Sequence, residues 1–189
     1  MGRKNATAFV FLDTNIFLQF RDFDQIDWLR ELGYQRVCLV IAPIILTELE
    51  SFRYDRESQR RQQRSRKALR DLGEIASTAD PGVPASIPNR PGVSLLLLSE
   101  SPDLSVFPDL RPAVQDDVLL ATILQFVGKH PEVDQVDVIL VTDDLGLITK
   151  ARARELRFHR PDDTLRLPDE PTKEQREIEE LRAQLAALA

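Results

Sequence analysis

Four short stretches of the chain are almost continuously apolar: residues 8–12 (AFVFL), 36–42 (RVCLVIA), 93–100 (VSLLLLSE) and 136–142 (VDVILVT). Each is too short for an ordinary helix and rich in β-branched or aromatic side chains, so each reads as a strand covered on both faces. The segments between them change period. Ile26, Leu29 and Leu32 recur at helical spacing, as do Ile45, Leu49 and Phe52 after Pro43, a residue suited to a first helical turn. Residues 118–127 are apolar nearly all round, as in a buried helix, and 145–157 resume a helical pattern. Strands alternating with helices imply an α/β fold: a doubly wound, mainly parallel sheet with helices on both faces.

The pattern breaks in two places. Between Tyr54 and Lys67 the apolar stripe disappears, returning at Leu69, Leu72 and Ile75; residues 77–92 then carry Pro81, Gly82, Pro84, Pro88, Pro91 and Gly92. Residues 53–92 therefore read as a basic helical insertion followed by a Pro-rich loop. After Arg160 the run RPDDTLRLPDEP marks 161–172 as a linker, leaving 1–160 as the domain. In the tail, 173–189, Ile178, Leu181, Leu185 and Leu188 alternate in steps of three and four, a short heptad seam. A helix this short is marginal alone, so the tail is expected to pack on the domain or to pair with another chain as a homo-oligomer or partner helix. Packing in cis is favoured.

Composition adds limits. With 189 residues, 42% hydrophobic and 30% charged, the chain can bury a core of its own. Its one cysteine, Cys38, lies inside an apolar run, which suits a reducing compartment. The leucines at 95–98 are far too few to span a bilayer. The opening MGRKNAT has no hydrophobic signal core, and Ala6 stands where a myristoylation site needs Ser or Thr. A cytoplasmic protein with no membrane contact is expected. The net charge of −6 argues against simple coating of nucleic acid, but eight Lys and Arg face only Asp55 and Glu57 between Arg53 and Arg70. A second basic stretch runs from Lys150 to Arg160.

Acidic residues fall where apolar runs end. Asp13 directly follows the first strand, Glu48 lies about one and a half turns into the helix after Pro43, Asp116 and Asp117 open the buried helix, and Asp143 and Asp144 follow the last strand. In a parallel sheet these converge on one edge. Close carboxylate pairs repel by about 4 kcal/mol at an intermediate dielectric, a cost that a hard divalent cation removes. Mg²⁺ and Mn²⁺ prefer such oxygen ligands, whereas His130 and His159 are isolated and do not suggest zinc. Capping a helix accounts for one aspartate in each adjacent pair. One member of each pair is therefore expected to cap its helix while the other faces the cation.

In this order the residues resemble the PIN-domain family of metal-dependent ribonucleases over residues 8–160. FLDTN resembles its first motif, IAPIILTELE its second, QDDVLLATIL its third and LVTDDLGL its fourth. The resemblance implies that Asp13, Glu48, Asp117 and Asp144 are catalytic and bind one or two Mg or Mn ions. Thr14, Asn15, Asp116, Thr142 and Asp143 would support them, which leaves Asp116 and Asp143 as the expected helix caps. It implies endonucleolytic hydrolysis of single-stranded or structured RNA, leaving 5′-phosphate and 3′-hydroxyl ends. The wide gap between Glu48 and Asp117 is similar to the larger bacterial-type branch rather than the compact toxins, so no antitoxin is expected. Arg53, Arg56, Arg60, Arg61, Arg64 and Lys67 are the expected RNA grip, with Lys150 and Arg152 a second contact.

Competing readings weigh less. A phosphatase of the haloacid dehalogenase class needs a second aspartate two residues after the first, where this chain has Asn15. A response-regulator receiver carries its paired acids after the first strand, not late. A PIN-like scaffold that binds RNA or a protein without cleaving would ordinarily have lost one of the four acids.

Overall fold

The apolar runs become the strands expected of them because both of their faces are covered. The computed structural model describes residues 6–188. Its sheet comprises β1 (Thr7–Leu12), β2 (Arg36–Ile41), β3 (Ala85–Ser86), β4 (Val93–Leu97), β5 (Val138–Val141) and β6 (Arg157–His159), in the order β3-β4-β2-β1-β5-β6. All neighbours are parallel except β3 and β4. Val10, Phe11, Leu12, Leu39, Val40, Ile41 and Val141 are fully buried. The sheet grows outward from β1 in one direction through β2 and β4 and in the other through β5 and β6. The β1/β5 boundary is therefore a topological switch point, the place where parallel sheets open a crevice beyond their carboxyl ends.

The helices are α1 (Thr14–Gln19), α2 (Trp28–Leu32), α3 (Pro43–Phe52), α4 (Gln59–Ala76), α5 (Gln115–Lys129), α6 (Leu145–Ala153) and α7 (Lys173–Leu188). Helices α1 to α6 each bury side chains in the core around the sheet. Phe9 and Phe11, two residues apart and so on one face of β1, both meet the ring of Phe126 on α5, at 5.5 and 5.3 Å between centroids. Gly92, directly before β4, has φ 81°, and a Cβ there would lie 2.8 Å from the Gln35 carbonyl oxygen. Only glycine lets that backbone accept the Val37 N–H and bring β4 alongside β2.

Several expectations need correction. The helix anticipated from residue 145 to 157 stops at Ala153; Glu155 turns with φ 56° and Arg157–His159 become the edge strand β6. The Pro-rich loop also contributes a strand, β3. Nor is the stretch after Arg160 a free linker at its start. Arg21 N–H donates to the Leu165 carbonyl and Leu167 N–H to that of Gln19, so residues 165–167 lie strand-like along the end of α1. Packing of the tail in cis is likewise not found. No residue of α7 is buried, and Ile178, Leu181, Leu185 and Leu188 are 48, 54, 68 and 85% exposed. Residues 1–5, on which most of the targeting reading rests, lie outside the described residues. No helix among those described is long and apolar enough to cross a membrane.

The basic helix α4 does not project either. Ser65, Ala68, Leu72 and Ile75 are buried along one face, and the helix packs against α1 and α3. Arg64 explains how a stretch without an apolar stripe can dock. Its guanidinium donates to the carbonyls of Phe17 (2.8 Å) and Phe20 (2.5 Å) and to Asp22 (3.0 Å), satisfying oxygens that the end of α1 leaves open. Arg64→Ala should lower stability by about 2 to 3 kcal/mol, because charge-assisted bonds are lost and two carbonyls orphaned. Chemical denaturation checks this; an unchanged midpoint would mean that the docking is carried by the apolar face alone.

Candidate active site

Asp13 stands where β1 ends, at the switch point. Its N–H still donates to the Val141 carbonyl (3.1 Å), so its carboxylate emerges level with the end of β5. That carboxylate is only 8% exposed, accepting from Thr14 N–H (2.7 Å) and from the Thr142 hydroxyl (2.9 Å). Thr142, fully buried just beyond β5, also accepts from Asp144 N–H (3.1 Å). Glu48 arrives on the second turn of α3, which Pro43 starts directly after β2. Its carboxylate accepts from the Thr14 hydroxyl. Thr14 thus touches Asp13 through its backbone and Glu48 through its side chain, and Thr142 ties the turn of Asp144 to Asp13.

The electrostatics identify which acids face one another. Burial pushes the Asp13 carboxyl up to about 7, and nearby Glu48 and Asp116 push the same way against the hydrogen bonds from Thr142 and Thr14. Glu48 is raised first by burial and then by Asp116, opposed by the Thr14 hydroxyl. Asp116 is raised by burial and by Asp144 and Asp117, opposed by Lys150. Asp13, Glu48 and Asp116 therefore repel one another, and Asp144 joins them through Asp116.

Asp117 has a different environment. It is buried, and although burial opposes its charge, hydrogen bonds from Lys150 Nζ (2.8 Å) and Arg111 N–H (3.1 Å), with the Lys150 charge, bring it below the usual carboxylate range. Lys150, expected on RNA, is thus committed to Asp117 and sits 3.9 Å from Asp116. The expected capping roles also change. Asp144, not Asp143, caps α6 by accepting from Leu147 N–H (2.8 Å), while Asp143 pairs with Arg166 at 2.5 Å. Neither Asp116 nor Asp117 caps α5: the cap position is Val114, with no side-chain bond. Asn15 is half-buried in the first turn of α1.

Arg166 was not foreseen. It stacks over the Phe20 ring at 4.6 Å and reaches Gln19 and Asp143, pinning the turn that carries Asp144. No motif signals it, because the contact depends on the backbone pairing of residues 165–167.

The basic residues divide similarly. Arg53 pairs with Glu50 (2.9 Å), Arg60 with the Pro168 carbonyl and Glu170, Arg61 with Asp55 (2.9 Å), and Lys67 with Asp22 (3.1 Å) and Asp71 (2.5 Å). Among the described residues, Arg56 and Arg152 are exposed and meet no acidic side chain at ion-pair distance.

As they stand, no three His, Cys, Asp or Glu among the described residues are drawn together tightly enough to hold a metal ion. The donor set nevertheless has the chemistry of a hard-cation site. The partners of Asp13 and Glu48 are hydroxyls and an N–H, not cations, so their charge is uncompensated by the protein. Asp117 and Asp143, by contrast, already have a lysine and an arginine. As oxygen donors, Asp13, Glu48, Asp116 and Asp144 suit a hard divalent ion in chemistry, and would have to draw closer to hold one.

The fold is a mainly parallel α/β domain with acids gathered at the carboxyl ends of β1 and β5, and the sequence pattern of the PIN domain matches residues 10–160. The chain belongs to the PIN-domain family. PIN domains are generally nucleases that act on RNA, usually with divalent metal ions. No curated protein sequence matches the chain. Solved structures similar to it include a domain of a functionally unknown protein from Methanocaldococcus jannaschii DSM 2661, at 17% identity, covering 88% of this chain and 96% of that one with TM-score 0.47. Another is the PIN domain endonuclease Utp24, at 19% identity, 87% and 96% coverage and TM-score 0.41.

Proposed function

We propose that the chain is a Mg²⁺- or Mn²⁺-dependent endoribonuclease, hydrolysing RNA phosphodiesters in the crevice beyond β1 and β5. The supporting observation is the set of mutually repelling carboxyls of Asp13, Glu48 and Asp116, with Asp144 beside them and no cation assigned to Asp13 or Glu48. In this reading Asp13, Glu48, Asp116 and Asp144 hold the metal. Asp117, the ligand expected from the sequence, acts instead by fixing Lys150 near Asp116. A bound ion supplies an acidified water and neutralises charge building on the phosphate. The chain's own part is orientation: Thr142 and Thr14 hold the two oxygens of Asp13, Thr14 holds Glu48, and Arg166 through Asp143 holds the turn of Asp144. Arg56 and Arg152 are proposed as RNA contacts, since their charges are not spent within the protein; Arg53, Arg60, Arg61 and Lys67 are secondary contacts, and Arg64 acts in folding.

Two measurements test this. Mn²⁺ should raise the melting temperature, because an ion bound only by the folded state stabilises it by mass action. Labelled single-stranded RNA should be cut with Mn²⁺ and spared with EDTA. A scaffold without a site gives neither result, and binding of Mn²⁺ without cleavage leaves a metal site but ends the nuclease assignment. Arg56→Glu with Arg152→Glu should weaken RNA binding and flatten its salt dependence, while the Mn²⁺ shift persists.

A further inference from the structure

We infer that α7 joins two copies of this chain as a parallel two-stranded coiled coil. The helix runs from Lys173 to Leu188 with none of its residues buried, although Ile178, Leu181, Leu185 and Leu188 share one stripe. A lone helix of this length is marginal in water. An exposed seam of four aliphatic side chains gives it a face whose burial supplies the missing stability.

The spacing assigns the partner. Steps of three, four and three place Ile178 and Leu185 at a positions and Leu181 and Leu188 at d positions of a heptad repeat. In the first heptad Ile178 at a with Leu181 at d favours two parallel strands, while Leu185 at the second a adds no such preference. The flanking positions then decide orientation. Glu177 occupies g and Arg182 the next e, five residues later, both exposed. Residues five apart on one helix do not face each other, so this pair makes no bridge within the chain. In a parallel pair of copies, Glu177 of each chain lies against Arg182 of the other, giving two symmetric bridges. An antiparallel pair that overlaps the whole seam, Ile178 against Leu188 and Leu181 against Leu185, sets Arg182 against Arg182 and leaves Glu177 past the end, with no charge matched to its opposite. The seam and its charges thus fit a second copy in parallel. Both domains would then enter the coil from the same end through residues 168–172, which puts their crevices on one assembly and lets a single RNA engage both. Little more than two heptads makes a weak, concentration-dependent dimer.

The test uses the full chain in sedimentation equilibrium from low micromolar to near-millimolar concentration. Native mass should climb from one chain toward two. Glu177→Arg and Arg182→Glu should each stay closer to monomer, because each places like charges across the seam. Mixed in equal amounts they should recover the native dimer, since both cross-pairs become opposite. Ile178→Asp with Leu185→Asp should abolish association while leaving the melting temperature of the domain unchanged, as α7 buries nothing against it. A native chain monomeric throughout, a dimer indifferent to the aspartates, or a mixture no stronger than its components overturns the proposal. Failure of RNA cleavage bears on none of these outcomes.

Discussion

At pH 8 without divalent ions, Asp13→Asn should unfold at a higher temperature than the parent, while with Mn²⁺ it should cut RNA more than about 100-fold slower. Replacing mere partners of metal ligands already costs 10- to 100-fold, roughly, so loss of a ligand should exceed that. The stability gain follows from proton linkage. In the folded protein Asp13 titrates near 7, against an ordinary value of 3.8. Between those values the native state holds a proton that the unfolded chain has released, so unfolding becomes easier as pH rises through this window. The ionised carboxylate is therefore a burden, up to about 4 kcal/mol above pH 7, since each tenfold change in proton affinity is worth about 1.4 kcal/mol. Asparagine removes the charge and keeps an acceptor for Thr14 N–H, and it serves equally well as a helix cap. The difference between the proteins should shrink steadily from pH 8 toward pH 4, where both forms are neutral. A stability difference independent of pH would show that Asp13 is not burdened in this way. A variant that is stabilised but fully active would exclude Asp13 from catalysis.

Much of this architecture is legible in the chain because it follows from burial alone. Residues 8–12, 37–41 and 138–141 are apolar on both faces, which specifies strands inside a parallel sheet, and the parallel sheet then dictates that Asp13 and Thr142 emerge together. Features that depend on one backbone finding another are not legible. The strand β6 is Arg157, Phe158 and His159, half-exposed at the sheet edge, and its residues continue a helical run in composition. Residues 165–167 look like linker because proline and aspartate surround them, yet their N–H and C=O groups pair with Gln19 and Arg21. Arg64 lies in what reads as an RNA grip; only the open carbonyls at the end of α1 reveal its contacts. Which member of an aspartate pair meets a cation is not legible in the chain either, for a geometric reason. Adjacent residues on a helix point about 100° apart, so the choice of which one faces the crevice rests on where α5 begins and how it is rotated, and no spacing rule fixes that.

That rotation gives the second large effect. Asp116→Asn should reduce cleavage more than about 100-fold with the fold intact or slightly more stable, whereas Asp117→Asn should act mainly on stability. The two residues are neighbours of the same type, yet their proton affinities move in opposite directions. Asp116 is raised by burial and by nearby acids, so at neutral pH its charge works against folding, and neutralising it relieves repulsion with Asp144 and Asp13. Asp117 is lowered by the hydrogen bonds from Lys150 and Arg111. Its contribution to stability is present above the ordinary carboxylate value and is lost as pH falls through its depressed one. Asparagine at 117 keeps one acceptor for two donors and faces Lys150 without charge, at a cost of about 2 to 3 kcal/mol. That loss should narrow in strong acid, where the parent carboxylate is protonated too. Freed from Asp117, Lys150 is also positioned to pair with Asp116, 3.9 Å away, so a moderate fall in Mn²⁺ affinity should accompany the loss of stability. Denaturation midpoints and cleavage rates, measured on both variants at pH 8, separate the two roles. If Asp117→Asn proves the more damaging to cleavage while its midpoint holds, the buried aspartate is the ligand, and the ion pair with Lys150 must open when metal binds.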